Sequence, residues 1–348
     1  LSHNIYGVDI NPESVEITKL ALWLHTAAPN KQLCALDRNI RCGNSLVGPE
    51  FAGFYHQKHD TLFEQADENE RERVNAFDWK AAFPDVFSHG GFDCVVGNPP
   101  YIKLQHFRRA QADVAEFLST ADHDDGTPIY ESTRSGNFDM YLPFIEKGIE
   151  LLQPEGRMGY IAPNVWMVNK YGQALRNKIK RTRALDRWLD FKSFQVFDEA
   201  ITYTALQFFR GSPCEGIRCA FAPDGNTTGI EWTHEDTTPY EELPDAEAWT
   251  LLPSSEGKLL GKLRQAGAAL GHPSITKKIF QGMVTSANSV YHIHVTPKGR
   301  ILKFPDEVEN IDGIEDAYLR PLVTGADSKR YLEPSVSTFL LFPYAIQG

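Results

Sequence analysis

Hydrophobic positions up to about residue 209 alternate between short apolar runs and longer stretches with helical spacing. The short runs predict buried strands at residues 5–10, 39–42, 92–97, 158–162, 185–191 and 202–209. The longer stretches predict helices at residues 12–26, 138–152 and 172–181, the first of them capped by Asn11. Strands that alternate with helices are typical of a doubly wound α/β sheet, which is the fold class that we expect.

The pattern changes after residue 209. An acidic stretch runs to about residue 248, a helix is predicted at residues 256–265, and strands are predicted at residues 286–295 and 338–342. We therefore expect one domain at residues 1–248, followed at residues 249–348 by a linker helix and the beginning of a β-rich domain. Polar insertions at residues 49–91 and 102–136 interrupt the first domain, with part of a helix near residues 63–77 and an Asp-rich, mobile stretch at residues 122–126.

The composition is that of an ordinary globular protein, with 42% hydrophobic and 23% charged residues. No stretch approaches the roughly 20 apolar residues of a membrane helix, and no secretion leader follows Leu1. The five cysteines include no C-x-x-C pair, which favours reduced thiols over disulfides or a zinc site. We therefore expect a cytoplasmic protein with no membrane partner.

The charge is unevenly distributed along the chain. A net charge of −11 argues against a nucleic-acid partner. Residues 170–192 nevertheless carry eight basic and two acidic side chains, a local net charge of +6, whereas residues 231–247 carry seven acids and no Lys or Arg. The first segment could contact phosphates, and the second is typical of a solvated linker.

Polar residues lie at the carboxyl ends of three of the predicted strands. They are Asp9, Asn44 after Gly43, and the tetrapeptide Asn98-Pro99-Pro100-Tyr101. In an open parallel sheet, ligands bind outside the carboxyl ends of the strands, so these residues are the candidates for a site.

The tetrapeptide fits one particular chemistry. The exocyclic amino group of a nucleic-acid base is a poor nucleophile, because its lone pair is delocalised into the ring. The Asn98 side chain and the Pro99 carbonyl could each accept one of its N–H bonds and stabilise the positive charge that develops during attack. Pro99 and Pro100 fix the backbone, and Tyr101 offers a ring for an extruded base. The alternative is a plain turn after a strand.

The other two strand ends carry weaker signals. Asp9 could accept hydrogen bonds from ribose hydroxyls, or it could serve only to cap the following helix, a role that Asn11 already fills. Asn44 could hydrogen-bond an adenine, but a plain turn residue is the other interpretation.

Four segments in this order resemble the gamma-class DNA N6-adenine methyltransferases, of the TaqI-like and type IIG restriction–modification kind. They contain Asp9-Ile10, Gly43-Asn44, Asn98-Pro99-Pro100-Tyr101 and Asp139-Met140-Tyr141-Leu142. The resemblance implies a Rossmann-like S-adenosylmethionine-dependent methyltransferase fold, followed by the start of a C-terminal β-rich target-recognition domain. It also implies a prokaryotic protein that binds double-stranded DNA.

The resemblance assigns the cofactor S-adenosylmethionine to the first two segments. Asp9 would hold its ribose, Ile10 would pack on its adenine, and Asn44 would hydrogen-bond that adenine. Many relatives carry Asp where Asn44 stands. The glycine-rich loop that holds the methionine half of the cofactor in this family should precede Leu1. We therefore expect residues 1–348 alone to bind the cofactor poorly and to be inactive.

The target base falls to the third segment. Asn98 and the Pro99 carbonyl would hold N6 of the flipped adenine, and Tyr101 would stack on its ring. Phe197, in a Val-Phe-Asp segment, resembles the aromatic residue that stacks on the other face, with a plain core position as its alternative.

The tail of the chain resembles target-recognition domains, through residues 281–288, 318–327 and 342–344. We expect no metal site, because the histidine pairs have no third ligand nearby. A restriction endonuclease, fused or separate, would lie outside this chain.

Two other functions remain open. Asn-Pro-Pro-Tyr chemistry also serves methyltransferases that act on protein glutamine or ribosomal RNA, which lack the long insertions and the second domain. The fold could instead act without catalysis, as a DNA-specificity or assembly subunit.

Overall fold

The computed structural model describes residues 3–27, 34–59, 73–134, 136–197, 202–245, 247–268, 271–278, 288–297, 299–303, 308–311, 313–323, 331–334 and 336–343. The chain divides into two compact units, Leu1–Ala266 and Gly267–Gly348. The first unit therefore extends through a helix that the sequence analysis grouped with the second segment.

A small parallel sheet begins the first unit. β1 (Gly7–Asp9) pairs in parallel with β2 (Ile40–Cys42), and α1 (Pro12–Thr26) connects them. The helix begins where predicted, because the Asn11 side chain accepts hydrogen bonds from the amides of Glu13 (2.8 Å) and Ser14 (3.4 Å).

The apolar side chains of α1 do not all face a core. Val15 is buried, but Ile17, Leu20 and Leu24 are 67%, 53% and 71% exposed. Their spacing places them on one stripe of the helix surface. Among the residues that the structure describes, nothing covers this stripe.

Both insertions contain helices. They are α2 (Glu50–His59), α3 (Trp79–Ala82), α4 (Pro84–Ser88), α5 (Leu104–Ala110) and α6 (Ala112–Thr120). Most of the helix predicted near residues 63–77 lies outside the described residues. The Asp-rich residues 122–126, expected to be mobile, form a turn in which Asp125 accepts hydrogen bonds from the amide (2.9 Å) and hydroxyl (2.6 Å) of Thr127.

A six-stranded mixed sheet forms the centre of the first unit, in the order β3-β4-β6-β5-β7-β8. Its strands are β3 (Phe92–Gly97), β4 (Leu152–Pro163), β5 (Leu185–Asp190), β6 (Thr204–Arg210), β7 (Gly216–Phe221) and β8 (Thr237–Pro239). α7 (Tyr141–Glu150) precedes β4 in the chain, and α8 (Gln173–Thr182) connects β4 to β5. β6 lies between β4 and β5 and runs antiparallel to both. The sheet is therefore mixed. The sequence did not indicate this, because apolar runs predict strands but not their directions.

The acidic stretch after β7 is not a solvated linker. β8 adds an edge strand to the sheet, and Tyr240 and Trp249 are buried in the core. Acids of this stretch also neutralise the basic segment, through Lys180 with Asp245 and Arg183 with Glu241, both at 2.5 Å. Much of the positive charge that predicted a phosphate-contacting surface is therefore paired within the protein.

The second unit contains an antiparallel sheet in the order β11-β10-β9-β13-β12. After α9 (Ser254–Ala266) of the first unit come α10 (Asn288–Tyr291), β9 (His292–Thr296), β10 (Gly299–Lys303), β11 (Val308–Asn310), β12 (Leu319–Leu322) and β13 (Thr338–Leu341). The strand predicted from residue 286 begins later, at His292. Residues 281–287, 324–327 and 344, which carry much of the resemblance to target-recognition domains, lie outside the described residues.

Candidate active site at the strand ends

A pocket of about 820 Å³ lies along β1 and β3 in the first unit. Asp9, Ile10 and Asn44 line it, and so do Asn98, Pro99 and Pro100. The three polar strand ends that the sequence predicts therefore meet at one cavity. Its volume lies within the range of about 300–1,000 Å³ that is usual for small-molecule sites.

The turn after β3 is set by close packing beneath it. Gly97 pairs with Tyr160 on β4, and a Cβ atom at position 97 would lie 2.8 Å from the Tyr160 ring. Only glycine fits this approach without displacing the ring. Asn98 then emerges exposed at the pocket, whereas Pro99 is buried. The Asn98 side chain can thus reach a ligand, while the next residue is held rigidly by the protein.

Tyr101 and Phe197 form an aromatic pair. The two ring centroids are 6.2 Å apart with an interplanar angle of 68°, an edge-to-face contact. Phe197 is half-buried, so it is not a plain core residue. The structure brings the two predicted stacking residues together, although neither belongs to the wall of the 820 Å³ pocket.

Tyr101 is held on two sides. Its hydroxyl donates a hydrogen bond to the carbonyl of Ile161 at 3.1 Å, and its ring makes an edge contact with Tyr141, with centroids 6.5 Å apart. Burial raises the pKa of the Tyr101 phenol to about 12. Tyr101 therefore remains a neutral hydrogen-bond donor at any physiological pH.

A polar network that begins at Lys103, two residues after Tyr101, supports the position of the Tyr101 ring. Lys103 lies 3.6 Å from the Asp139 carboxylate, and the same carboxylate accepts a hydrogen bond of 3.1 Å from Tyr171. The Tyr171 hydroxyl lies 3.3 Å from that of Tyr141, which contacts Tyr101. The contacts close a ring from Lys103 back to Tyr101, which limits movement of the turn.

The two weaker strand ends differ in how their side chains are used. Asp9 is exposed and does not cap α1; one of its oxygens accepts a hydrogen bond of 2.8 Å from the amide of Asn11. Asn44 is buried, and its side-chain oxygen accepts a hydrogen bond of 3.1 Å from the Leu46 amide. Its side-chain nitrogen donates a hydrogen bond of 3.4 Å to the Val74 carbonyl, so both polar atoms of this side chain are used within the protein, even though Asn44 also borders the pocket.

Sequence reasoning missed several residues of the site. Trp79, Phe144, Lys147 and Tyr160 line the pocket from elements that the periodicity marks only as framework. Two polar residues at strand ends outside the pocket wall were also missed, Asn164 directly after β4 and Asp190 at the end of β5. The strand-end rule that identified Asp9 and Asn98 could have found both.

In the described part of the chain, no group of three or more His, Cys, Asp or Glu side chains could hold a metal ion. No helix among those residues is long and apolar enough to cross a membrane.

One pocket thus lies along β1 and β3 of an α/β unit. The family model of the Eco57I restriction-modification methylases matches residues 3–197, more than half of the chain. The chain belongs to this family.

Curated relatives agree with this assignment. The type II restriction enzyme and methyltransferase RM.Eco57I of Escherichia coli is 27% identical over 99% of the chain and 33% of its own length. The type II methyltransferase M.PaeR7I of Pseudomonas aeruginosa is 27% identical over 68% of the chain and 39% of its own length. The chain thus spans between a third and two fifths of these two proteins. Among solved structures, a type I restriction-modification methyltransferase subunit from Streptococcus thermophilus aligns with 66% of the chain and 38% of its own length, at 14% identity and a TM-score of 0.38.

Proposed function

We propose that the protein transfers a methyl group from S-adenosylmethionine to N6 of a flipped adenine in double-stranded DNA, as part of a restriction-modification or phage-defence system. The observation that carries the proposal is the shared pocket. Asp9 and Ile10, the candidates for the cofactor, line the same cavity as Asn98 and Pro99, the candidates for the target amino group. A methyl donor and an acceptor nitrogen must meet within one cavity for direct transfer.

The residues present fit the nucleoside half of the cofactor. Asp9 is exposed at the pocket, and of its two carboxylate oxygens one serves the Asn11 amide, which leaves the other as an acceptor for ribose hydroxyls. Ile10 is 48% exposed and offers an apolar surface for an adenine ring. When bound, S-adenosylmethionine would supply the electrophilic methyl group.

Asn98 and Pro99 would act on the target nitrogen. Both offer carbonyl oxygens at the end of a rigid strand, and the two prolines present no N–H group that would compete for those acceptors. Acceptors fixed before the reaction stabilise a developing positive charge without reorganising during it. An adenine that enters between Tyr101 and Phe197 would replace their edge-to-face contact, and both rings would then cover it.

We further propose that residues 1–348 alone bind the cofactor weakly and are inactive. Among the described residues, β1 pairs only with β2 and β3 only with β4, so both strands present an unpaired edge along the pocket. Val96, on β3, is 81% exposed. Calorimetry with S-adenosylmethionine tests this proposal; tight binding by residues 1–348 would overturn it.

The decisive experiment uses the full-length protein with labelled S-adenosylmethionine and unmethylated genomic DNA. We expect N6-methyladenine in the digested DNA, and a rate lowered by about 10²–10³-fold in Asn98→Ala, by analogy with the loss of one preorganised polar group. Asn226→Ala is the matched control, because Asn226 is an exposed turn residue whose side-chain oxygen accepts a hydrogen bond from the Thr228 amide. The control should methylate at the unaltered rate.

The same assay separates the rival functions. Ribosomal RNA and a release-factor-like protein are offered in parallel reactions. Label in either one, and not in DNA, would move the assignment to that substrate. DNA binding without label in any substrate would indicate a specificity or assembly subunit. A restriction endonuclease as partner, fused or separate, would appear as cleavage of the unmethylated DNA.

A further inference from the structure

We propose that Asp190 is a positioning residue, which fixes the distance between Tyr101 and Phe197 and so shapes the slot for the target base. The proposal rests on the function proposed above. It starts from the place of Asp190 in the sheet, as the last residue of β5, whose neighbour β6 separates it from β4.

The Asp190 carboxylate connects two strand ends. Its oxygens lie 3.3 Å and 3.2 Å from the side-chain nitrogen of Asn164, the first residue after β4. The indole nitrogen of Trp188 lies 3.4 Å away, and the backbone amide of Lys192 donates a hydrogen bond of 2.7 Å. A partly buried carboxylate that gathers N–H donors from separate segments acts as a clamp between them.

One side of this clamp holds Tyr101. Asn164 directly follows the strand that contains Ile161, and the Ile161 carbonyl accepts the hydrogen bond from the Tyr101 hydroxyl. The amide of Asn164 is itself fixed by a hydrogen bond of 3.0 Å to the carbonyl of Tyr203. The Asp190 carboxylate is therefore connected, through Asn164, to the strand whose Ile161 carbonyl binds the Tyr101 hydroxyl.

The other side of the clamp holds the segment that ends at Phe197. The backbone amide of Lys192 donates a hydrogen bond to Asp190, and Lys192 itself has a left-handed backbone with φ of 55°. The hydrogen bond therefore stabilises a backbone conformation that lysine rarely adopts. Phe191, directly before Lys192, is buried, and further along the segment Val196 packs in the same apolar cluster. The segment is thus pinned at its start by Asp190 and near its end by Val196, and it delivers Phe197 to 6.2 Å from Tyr101.

The test compares Asp190→Ala with Asp190→Asn in the full-length protein, by methyl transfer to unmethylated genomic DNA at saturating S-adenosylmethionine. Loss of the clamp should lower kcat by about 10–100-fold, since a displacement of about 1 Å at a reacting group has effects of that order. Asparagine keeps the acceptor for the Lys192 amide, so it should restore most of the rate. Asp125→Ala is the matched control: Asp125 also accepts a backbone amide in a turn, but its turn carries neither Tyr101 nor Phe197.

A double-mutant cycle with Phe197→Ala distinguishes positioning from general structural support. If Asp190 acts through Phe197, Asp190→Ala should cost little further rate once the ring is gone. Asn164→Ala, which removes one partner of the carboxylate and leaves the strand intact, should show a smaller loss with the same dependence on Phe197. An equal fold-loss in both backgrounds, or no loss at all, would overturn the inference. Failure of the unaltered protein to methylate DNA would instead refute the proposed function.

Discussion

The Tyr101 hydroxyl donates a hydrogen bond to the carbonyl of Ile161, 60 residues along the chain. The contact joins the end of the Asn-Pro-Pro-Tyr turn to the neighbouring strand β4, where the Ile161 carbonyl lies two residues before the end of the strand. It fixes the ring in one orientation, with Tyr141 against one part of it and Phe197 against another.

This relationship separates two roles of Tyr101. Tyr101→Phe removes the hydrogen bond that positions the ring and keeps the stacking surface, so it should lower the free energy of unfolding by about 1 kcal/mol and lower the rate of methyl transfer less than loss of the ring does. Tyr101→Ala removes the stacking surface and should lower the methylation rate by about 10–100-fold, which corresponds to about 1–3 kcal/mol of stacking. Thermal melts and labelled-methyl incorporation measure the two effects. Equal rate losses in both variants would show that the hydroxyl, rather than the ring, carries the function.

The second prediction concerns the contribution of Glu146, a buried carboxylate in α7, to the stability of the protein. The Glu146 side chain is fully buried and accepts hydrogen bonds from the amides of Glu131 (2.9 Å) and Ser132 (2.8 Å) and from Lys178 (2.6 Å). Glu146→Ala leaves these donors without a partner and should destabilise the protein by about 3–5 kcal/mol.

Urea unfolding followed by tryptophan fluorescence measures this loss. Glu150→Ala is its matched control, because Glu150 is exposed and its ion pairs with Lys147 (3.1 Å) and Lys178 (3.4 Å) should each contribute about 0–1 kcal/mol. A similar loss in both variants would contradict the special role of Glu146.

The sequence predicted the parts of the fold that depend on local pattern. α1, α8 and β5 begin and end within about two residues of their expected positions, because caps and apolar spacing specify them. The mixed direction of the sheet could not be predicted, since β6 is placed by pairing with β4 and β5 far along the chain. Nor could the packing of the acidic stretch, where Tyr240 and Trp249 decide the outcome more than the charges do.

The candidate site divides in the same way. Asp9 and Asn98 were accessible to sequence reasoning because each is a polar residue directly after an apolar run. Phe144 and Tyr160 reach the pocket only through the way α7 and β4 pack, so no local pattern marks them. Asp190 satisfied the strand-end rule and was missed because its run, residues 185–191, was read only as framework.

Two paired side chains of the basic segment, Lys180 and Arg183, should not contribute to DNA binding. Lys180 is paired with Asp245 and the Leu243 carbonyl, and Arg183 is paired with Glu241. The double variant Lys180→Gln, Arg183→Gln should therefore leave the salt dependence of DNA affinity unchanged, because neither charge replaces counterions on phosphates. Binding titrations at several salt concentrations test this expectation. A slope reduced by about one for each residue would mean that both charges contact the DNA backbone.

The buried tyrosines predict how stability responds to alkaline pH. Burial raises the pKa of Tyr160 to about 12, and that of Tyr101 to about 12, whereas an unfolded phenol titrates near 10. Between these values the unfolded chain loses protons that the folded protein retains, so the contribution of these two phenols to the free energy of unfolding should be constant below pH 10 and fall as the pH rises toward 12. Tyr160→Phe removes one such proton and should make this fall less steep. It should change stability at neutral pH by no more than about 1 kcal/mol, since the described residues give the Tyr160 hydroxyl no hydrogen-bond partner.

Urea unfolding at a series of pH values, with phenolate absorbance followed in parallel, measures both the free energy of unfolding and the titration of the phenols. Phenolate formation by Tyr160 in the folded protein near pH 10 would show that its ring is open to water and that the packing against Gly97 is looser than the structure has it.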